Sequence, residues 1–450
     1  MSGKKSGLSA FGLTMMAIGT VIGGSFFLGS AIPIKAAGPS IMISYIIGGI
    51  LVYFILFALS EMTVADADPG SFRAFAQRAF GPAAGFVTGW VYWTGLILAM
   101  SSEAVAVSLL IRLWYPQLSI LAIGTLIIIL ITMVNLMGAG WITRLESSLA
   151  AVKVVAIIAF IVLAAALISG LFPGKPQVGA GALGTEPIFQ GGLSGIAGSM
   201  LMVMFAYAGF EVIGLAASET SQPHKVVPRA ILYTVLSLTV LYIGAIALLM
   251  PLLPTERIST EVSPFIAALE FRGIGWAAGA INIVLVTAIL STMLAATFGL
   301  GRMMRSLVAE GHAPQWLKDK GDVPYRGIGF SGAAMFAGLA MSFLLPKQVY
   351  LFLVGSGGFS LLFTYLIILL SHYKFRKKNG CPPKGNCQLP LYPFTSWAAI
   401  AATGAILISM PLIPGQAAGM AAGISLVLFY LLCYAVMHYF KRRRHARNYT

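Results

Sequence analysis

Charge is what this chain lacks. Only 10% of its 450 residues are charged, against about 25% in an average soluble domain. A further 58% are hydrophobic and the mean hydropathy is +0.89. That excludes a soluble globular protein and indicates a chain that crosses a bilayer repeatedly. Acidic residues are scarcest: 14 Asp plus Glu stand against 29 Lys plus Arg, for a net charge of +15. Such an excess can serve nucleic acid, but here the basic residues lie in short loops and at the termini, between apolar spans. The expected partner is the lipid bilayer and not a nucleic acid.

Cysteine is nearly absent too. Cys381, Cys387 and Cys433 are too few for a disulfide scaffold. Cys381 and Cys387 share a basic loop at a spacing unusual for zinc, and they read as incidental. The histidines His224, His312, His372, His438 and His445 fall in or near loops or span ends. None forms a set with an intramembrane Ser, Cys or acid, so neither an enzyme nor a metal or cofactor site is expected. No cleavable leader is expected either: the apolar stretch after Lys4-Lys5 is longer than a signal-peptide core.

What the chain has in quantity is long apolar runs. In windows of about 20 residues, the length of a membrane-crossing helix, it reads as twelve spans. These are 8–34, 39–62, 83–113, 119–139, 146–170, 194–217, 229–252, 275–300, 328–346, 348–372, 394–411 and 415–440. Pro39, Pro82, Pro116, Pro228 and Pro393 fall near predicted starts, where a missing amide costs least. Basic residues then fix the orientation. Twenty-two of the 29, among them Lys4, Lys5, Arg73, Arg78, Lys374, Lys377, Lys378 and the tail Arg442, Arg443 and Arg444, lie on the side of the N-terminus. Only Lys35, Arg112, Lys175, Arg257, Arg272 and Lys347 lie on the other. Both termini are expected in the cytoplasm, with the basic tail as a topology anchor.

Span 1 is interrupted at its middle by Gly19, Gly23, Gly24 and Ser25. Each glycine weakens a helix interior by ~1 kcal/mol relative to alanine. Backbone released at membrane depth needs protein, water or a solute to replace its hydrogen bonds. Span 6 carries a second small-residue patch, Phe205-Ala206-Tyr207-Ala208-Gly209-Phe210-Glu211. If spans 1–5 and 6–10 form two halves, the breaks occupy equivalent positions in halves of opposite topology, the sequence mark of a transporter binding site. Freed amides suit an anion and freed carbonyls an ammonium, so the pair suits a zwitterion. The competing reading is packing, since Gly19 and Gly23 form a GxxxG pair.

These segments carry a resemblance. Ile18 to Ser30, Ala37-Gly38-Pro39, Asp68-Pro69-Gly70-Ser71-Phe72, Gly89-Trp90 and Phe205 to Glu211 resemble the amino acid permeases of the amino acid–polyamine–organocation superfamily, bacterial branch. So do Ala217-Ser218-Glu219-Thr220, Val227-Pro228-Arg229-Ala230-Ile231, Gly301 to Leu307 and Gly311-His312-Ala313-Pro314. One departure is Gly23-Gly24-Ser25, where the family usually reads Gly-Thr-Gly or Gly-Ser-Gly.

The resemblance implies an all-α polytopic membrane protein with a leucine-transporter-like fold. Residues 1–170 would form the first inverted repeat, 171–372 the second, and 373–450 two further helices with a basic cytoplasmic tail. It implies a secondary transporter that imports amino acids across a bacterial cytoplasmic membrane. The alternatives are an amino acid exchanger and, more remotely, a channel or membrane-embedded enzyme. The substrate-binding candidates are Val21, Ile22, Gly23, Gly24, Ser25, Phe205, Ala206, Tyr207, Ala208, Phe210 and Glu103. Of these, the amides around Gly23 to Ser25 would hold the carboxylate, carbonyls near Phe205, Ala206 and Ala208 the ammonium, and Tyr207 and Phe210 would form an aromatic cover. Glu211 would secure the break in span 6.

Ionisable residues deep in spans suggest function. Lys153 lies seven residues past Glu146 in span 5. Either it snorkels to the interface or, as the resemblance implies, its ammonium replaces a sodium ion beside Ser291 and Thr292. Ala288, Ser291 and Thr292 share one helical face. The proton is then the expected coupling ion, with Lys153, Ser291 and Thr292 as coupling residues. Glu103 either ties span 3 to a break or sits in the pocket as a proton site or substrate partner. The Gly355 to Ser360 patch lines a pathway or permits close packing. Glu61, Asp66, Asp68, Arg73 and Arg78 form an inner gate or a solvated loop.

Overall fold

The computed structural model describes residues 9–447 except 67, 69, 138, 212, 215–219, 221, 322, 345–348, 382–387 and 414. Side chains within 139–147, 342–343 and 441–447 are outside the description. Lys4, Lys5, Pro69, Ala217, Ser218, Glu219, Lys347, Lys384 and Cys387 therefore lie outside the described residues.

Among the described residues the regular structure is all helical. In a bilayer this follows from hydrogen bonding, because a helix satisfies its own backbone where no water can. The helices are α1 (Ala10–Val21), α2 (Gly24–Phe27), α3 (Ala31–Ala37), α4 (Ile41–Ala65), α5 (Ser71–Phe80), α6 (Pro82–Arg112), α7 (Ile120–Leu136) and α8 (Ala139–Ser169). They continue as α9 (Gly192–Tyr207), α10 (Pro223–Leu249), α11 (Pro264–Phe271), α12 (Gly275–Ala309), α13 (Tyr325–Leu344), α14 (Val349–Asn379), α15 (Phe394–Ser409) and α16 (Gln416–Arg447). Each predicted span overlaps at least one of these helices among the described residues. Among the described residues, eight stretches are long and apolar enough to cross a membrane, while α1, α7 and α9 are shorter apolar helices.

α6 and α14 form the buried centre: their apolar windows are 78% enclosed, against 6% for the peripheral α16. Glycine sets the close approach of this pair. A Cβ on Gly357 of α14 would lie 3.1 Å from the Gly95 carbonyl oxygen and 3.2 Å from the Ala99 nitrogen of α6. The glycines of α14 thus act in packing. α12 and α8 lie against α1 and carry two of the site's side chains, Thr292 and Lys153.

Several elements differ from the sequence reading. The amphipathic α5 and the short α11 have no counterpart among the predicted spans. Pro228 lies inside α10, which starts at Pro223, where a proline at the first position needs no amide partner. Cys381 is disulfide-bonded, whereas Cys433 is free.

Of the charges around the first large loop, Glu61 and Arg73 are buried, whereas Asp66 and Arg78 are exposed. Arg73 bonds Ser306 (2.9 Å) and Gln77 (2.9 Å) and lies 3.8 Å from Glu310, which ties α5 to the end of α12. Arg78 pairs with Asp66 and Asp68. Glu61 is fully buried and accepts hydrogen bonds from Arg376 (2.6 Å) and from the Gln388 (2.6 Å) and Leu389 (2.8 Å) amides. It is also bonded to His372 (2.7 Å). This knot closes α4 onto α14 and the segment that follows α14.

Candidate functional site

The first break is short. α1 ends at Val21, Ile22 and Gly23 are extended, and the helix resumes at Gly24. The second begins after Tyr207, where Ala208 is extended and Gly209 adopts a φ of +109°. Only glycine takes that conformation without strain. A Cβ on Gly209 would also lie 2.9 Å from the Thr20 carbonyl oxygen. The two breaks touch: Thr20 Oγ1 donates to the Gly209 carbonyl at 3.2 Å.

Glu211 secures the second break. Its Oε2 accepts from the Gly209 amide (3.1 Å) and the Tyr365 hydroxyl (3.1 Å), and its Oε1 accepts from Tyr92 (3.0 Å). Tyr92 comes from α6 and Tyr365 from α14, so this one carboxyl links the break to both of these helices. A buried carboxyl with three donors has the partners its burial demands.

Glu103 reaches the first break from α6. Its Oε2 accepts from the Gly24 amide at 3.0 Å, and the Ser25 amide bonds the same carboxyl. Gly24 has to be glycine for this contact, because an added Cβ would overlap Glu103 Oε2.

Lys153 is wholly buried, which overturns the snorkelling alternative. Its ammonium donates to the Gly19 carbonyl (2.5 Å) and to Thr292 Oγ1 (2.9 Å). Thr292 Oγ1 also lies 3.0 Å from the Ile22 carbonyl oxygen. Lysine, threonine and freed carbonyls thus pin the end of α1 to α8 and α12. Ser291 is buried but makes no hydrogen bond among the described residues, so Thr292 alone of the two hydroxyls meets Lys153.

Between the breaks lies a cavity of about 70 Å³. Val21, Ser25, Glu103, Phe205 and Ala208 line it together with Thr20, Gly209, Glu211 and Thr292. Its remaining wall is mostly apolar and includes Leu96, Ala99, Met100, Ala295 and Ala296, none of them singled out from sequence. The lining holds two carboxyls and no cationic side chain. Ile22, Gly23, Gly24 and Ala206 do not line it.

Tyr207 and Phe210 do not line the cavity. The Tyr207 hydroxyl donates to the Tyr45 carbonyl at 3.1 Å, and its ring joins a cluster with Tyr45 and Tyr242. Phe210 stacks on Tyr365 at 4.8 Å. The Ala206 carbonyl already accepts from Tyr242 at 3.1 Å.

A family model described as amino acid permease matches residues 12–449. The chain is 34% identical to a gamma-aminobutyric acid permease of Bacillus subtilis, over 92% of this chain and 89% of that one. It is 31% identical to the aromatic amino acid transport protein AroP of Escherichia coli K12, over 98% and 96% of the two chains. It is also 33% identical to the amino-acid permease AapA of Bacillus subtilis, over 90% and 89%. Each of these is named as a carrier and not as an enzyme. By the extent of these matches, the chain belongs to the amino acid permease family.

Proposed function

We propose that this protein imports an amino acid across the cytoplasmic membrane by alternating access, with both termini in the cytoplasm and a proton as the coupling ion. The observation that carries the proposal is the meeting of the two breaks around one small cavity. That cavity has Val21 and Ser25, which flank the first break, on one side and Ala208 and Gly209 of the second on the other.

The geometry adds a step to the expected binding mode. The Gly24 and Ser25 amides that suit a substrate carboxylate are held by Glu103. A bound amino acid has to displace that carboxyl or share the amides with it. Two carboxylates side by side in a buried site repel strongly, and a proton on one removes the repulsion. Glu103 therefore offers a second place, beside Lys153, where proton and substrate binding are linked. The apolar wall and the small volume favour a neutral side chain.

In this reading the Lys153 ammonium takes the part of a coupling cation, supported by its hydrogen bond to the Gly19 carbonyl at the end of α1. A change in its charge alters its hold on Gly19 and, through Thr292, on the Ile22 carbonyl. The break is thereby coupled to α8 and α12. Proteoliposomes test the reading. Uphill uptake under an imposed inward pH gradient, without internal amino acid, supports symport. Uptake that requires internal amino acid instead establishes exchange.

A further inference from the structure

A second cavity, of about 710 Å³, lies away from the two breaks, where the ends of α4 and α14 meet α5. Its volume falls within the 300–1,000 Å³ or so common for small-molecule sites. One wall is apolar, made by Met62, Phe75, Ala79 and Phe375. The other carries Arg78, Lys374, Lys377 and Lys378 against one carboxylate, Asp66.

These cations are unequal. Arg78 is spent on Asp66 and Asp68. Lys374 lies 4.2 Å from the centre of the Phe80 ring and donates one hydrogen bond to the Ala79 carbonyl, which leaves donors to spare. Lys377 and Lys378 are exposed and make no hydrogen bond or ion pair among the described residues. The C-terminal dipole of α14 welcomes about half a positive charge in its last turn. Three lysines beside the cavity exceed that, and the neighbouring Arg376 is already committed to Glu61. The site combines surplus positive charge with an adjacent apolar wall at the end of a membrane-crossing helix. Basic pockets between membrane helices near the headgroup layer accept anionic headgroups.

We infer that this cavity binds the phosphate of an anionic phospholipid, with Lys374, Lys377 and Lys378 around the phosphate and the glycerol and upper acyl chain along Phe75 and Phe375. Bound there, the lipid links α5 to the end of α14.

Native mass spectrometry of the purified full-length protein, delipidated and then supplied with phosphatidylglycerol or phosphatidylcholine, tests the inference. Phosphatidylglycerol should be retained at one tight site per chain, at least fivefold above phosphatidylcholine. The Lys374→Gln/Lys377→Gln/Lys378→Gln variant should lose that preference, while the triple Lys→Arg variant keeps it. Neutralising the tail residues Arg442, Arg443 and Arg444 should leave the tight site in place. Equal retention of the two lipids would overturn the inference, as would unchanged binding in the Gln variant or loss of the site with the tail charges. Displacement of the lipid by millimolar inorganic phosphate or glycerol 3-phosphate would assign the cavity to a soluble phosphate instead. Circular dichroism of the Gln variant separates lost binding from lost fold.

Discussion

Glu103 Oε2 accepts a hydrogen bond from the Gly24 amide at 3.0 Å, so the first break holds a carboxyl supplied by the protein itself. An amide freed by a broken helix is costly to bury unpaired. Glu103 removes that cost, and it does so at the place where a substrate carboxylate is proposed to bind. The site is thus poised between an internal and an external acid.

Substituting Gly24 by alanine puts a methyl group on Glu103 Oε2. The carboxyl must leave the amides or the first break must shift. Substrate affinity is expected to fall at least tenfold, while Gly329→Ala, at a position where an added Cβ meets nothing, leaves it unchanged. Equilibrium binding of radiolabelled amino acid by the two variants makes the comparison.

Replacing Lys153 by methionine keeps most of the side-chain volume and removes the charge. The Gly19 carbonyl loses its donor, at a cost of about 1–3 kcal/mol for a buried group left unsatisfied. Uphill uptake driven by a pH gradient should be abolished, with a lower midpoint of thermal unfolding. Retained pH-driven accumulation would remove Lys153 from coupling.

Glu211→Gln tests the second break. The amide keeps one acceptor oxygen where the carboxylate had two, so the Gly209 amide, Tyr92 and Tyr365 can no longer all be served. Transport should fall about tenfold or more, since the loss of a hydrogen bond to a charged group is worth about 1.5–3 kcal/mol. Initial uptake rates in proteoliposomes, corrected for the amount of folded protein, measure it.

Arg376→Ala leaves Glu61 buried with its principal cation removed. Breaking a buried pair from one side costs about 3–5 kcal/mol, so thermal stability should drop markedly. Neutralising both partners with Glu61→Gln/Arg376→Gln should recover part of the loss. A differential scan of the single and double variants decides it.

Much of the site was legible because it breaks a pattern. Glycines within an apolar run and single charges at membrane depth are anomalies with few physical explanations, and the breaks, Lys153, Glu103 and Glu211 stand out in that way. The all-helical fold follows from the apolar runs by the same logic. Side-chain direction was not legible. Tyr207 is adjacent to the break yet points to Tyr45, because a helix turns about 100° per residue, so Phe205 meets the cavity while Tyr207, two residues on, faces away. Tyr92 and Tyr365 look like ordinary residues of apolar spans, and only the packing of α6 and α14 brings them to Glu211. Glu61 lies at a span end and Arg73 between two spans, where charge normally meets water, and Arg376 and Ser306, which bond them, are over 200 residues away.

The central claim, that one site between the breaks takes carboxylate and ammonium together, has a direct measurement. The purified protein is screened by thermal shift against the common amino acids. The best binder is then compared by calorimetry with its decarboxylated amine and its deaminated acid. The account predicts that both analogues bind at least a hundredfold more weakly than the amino acid, and that Gly24→Ala weakens the amino acid and the deaminated acid but not the amine. An amine or an acid that binds as tightly as the parent amino acid would contradict it.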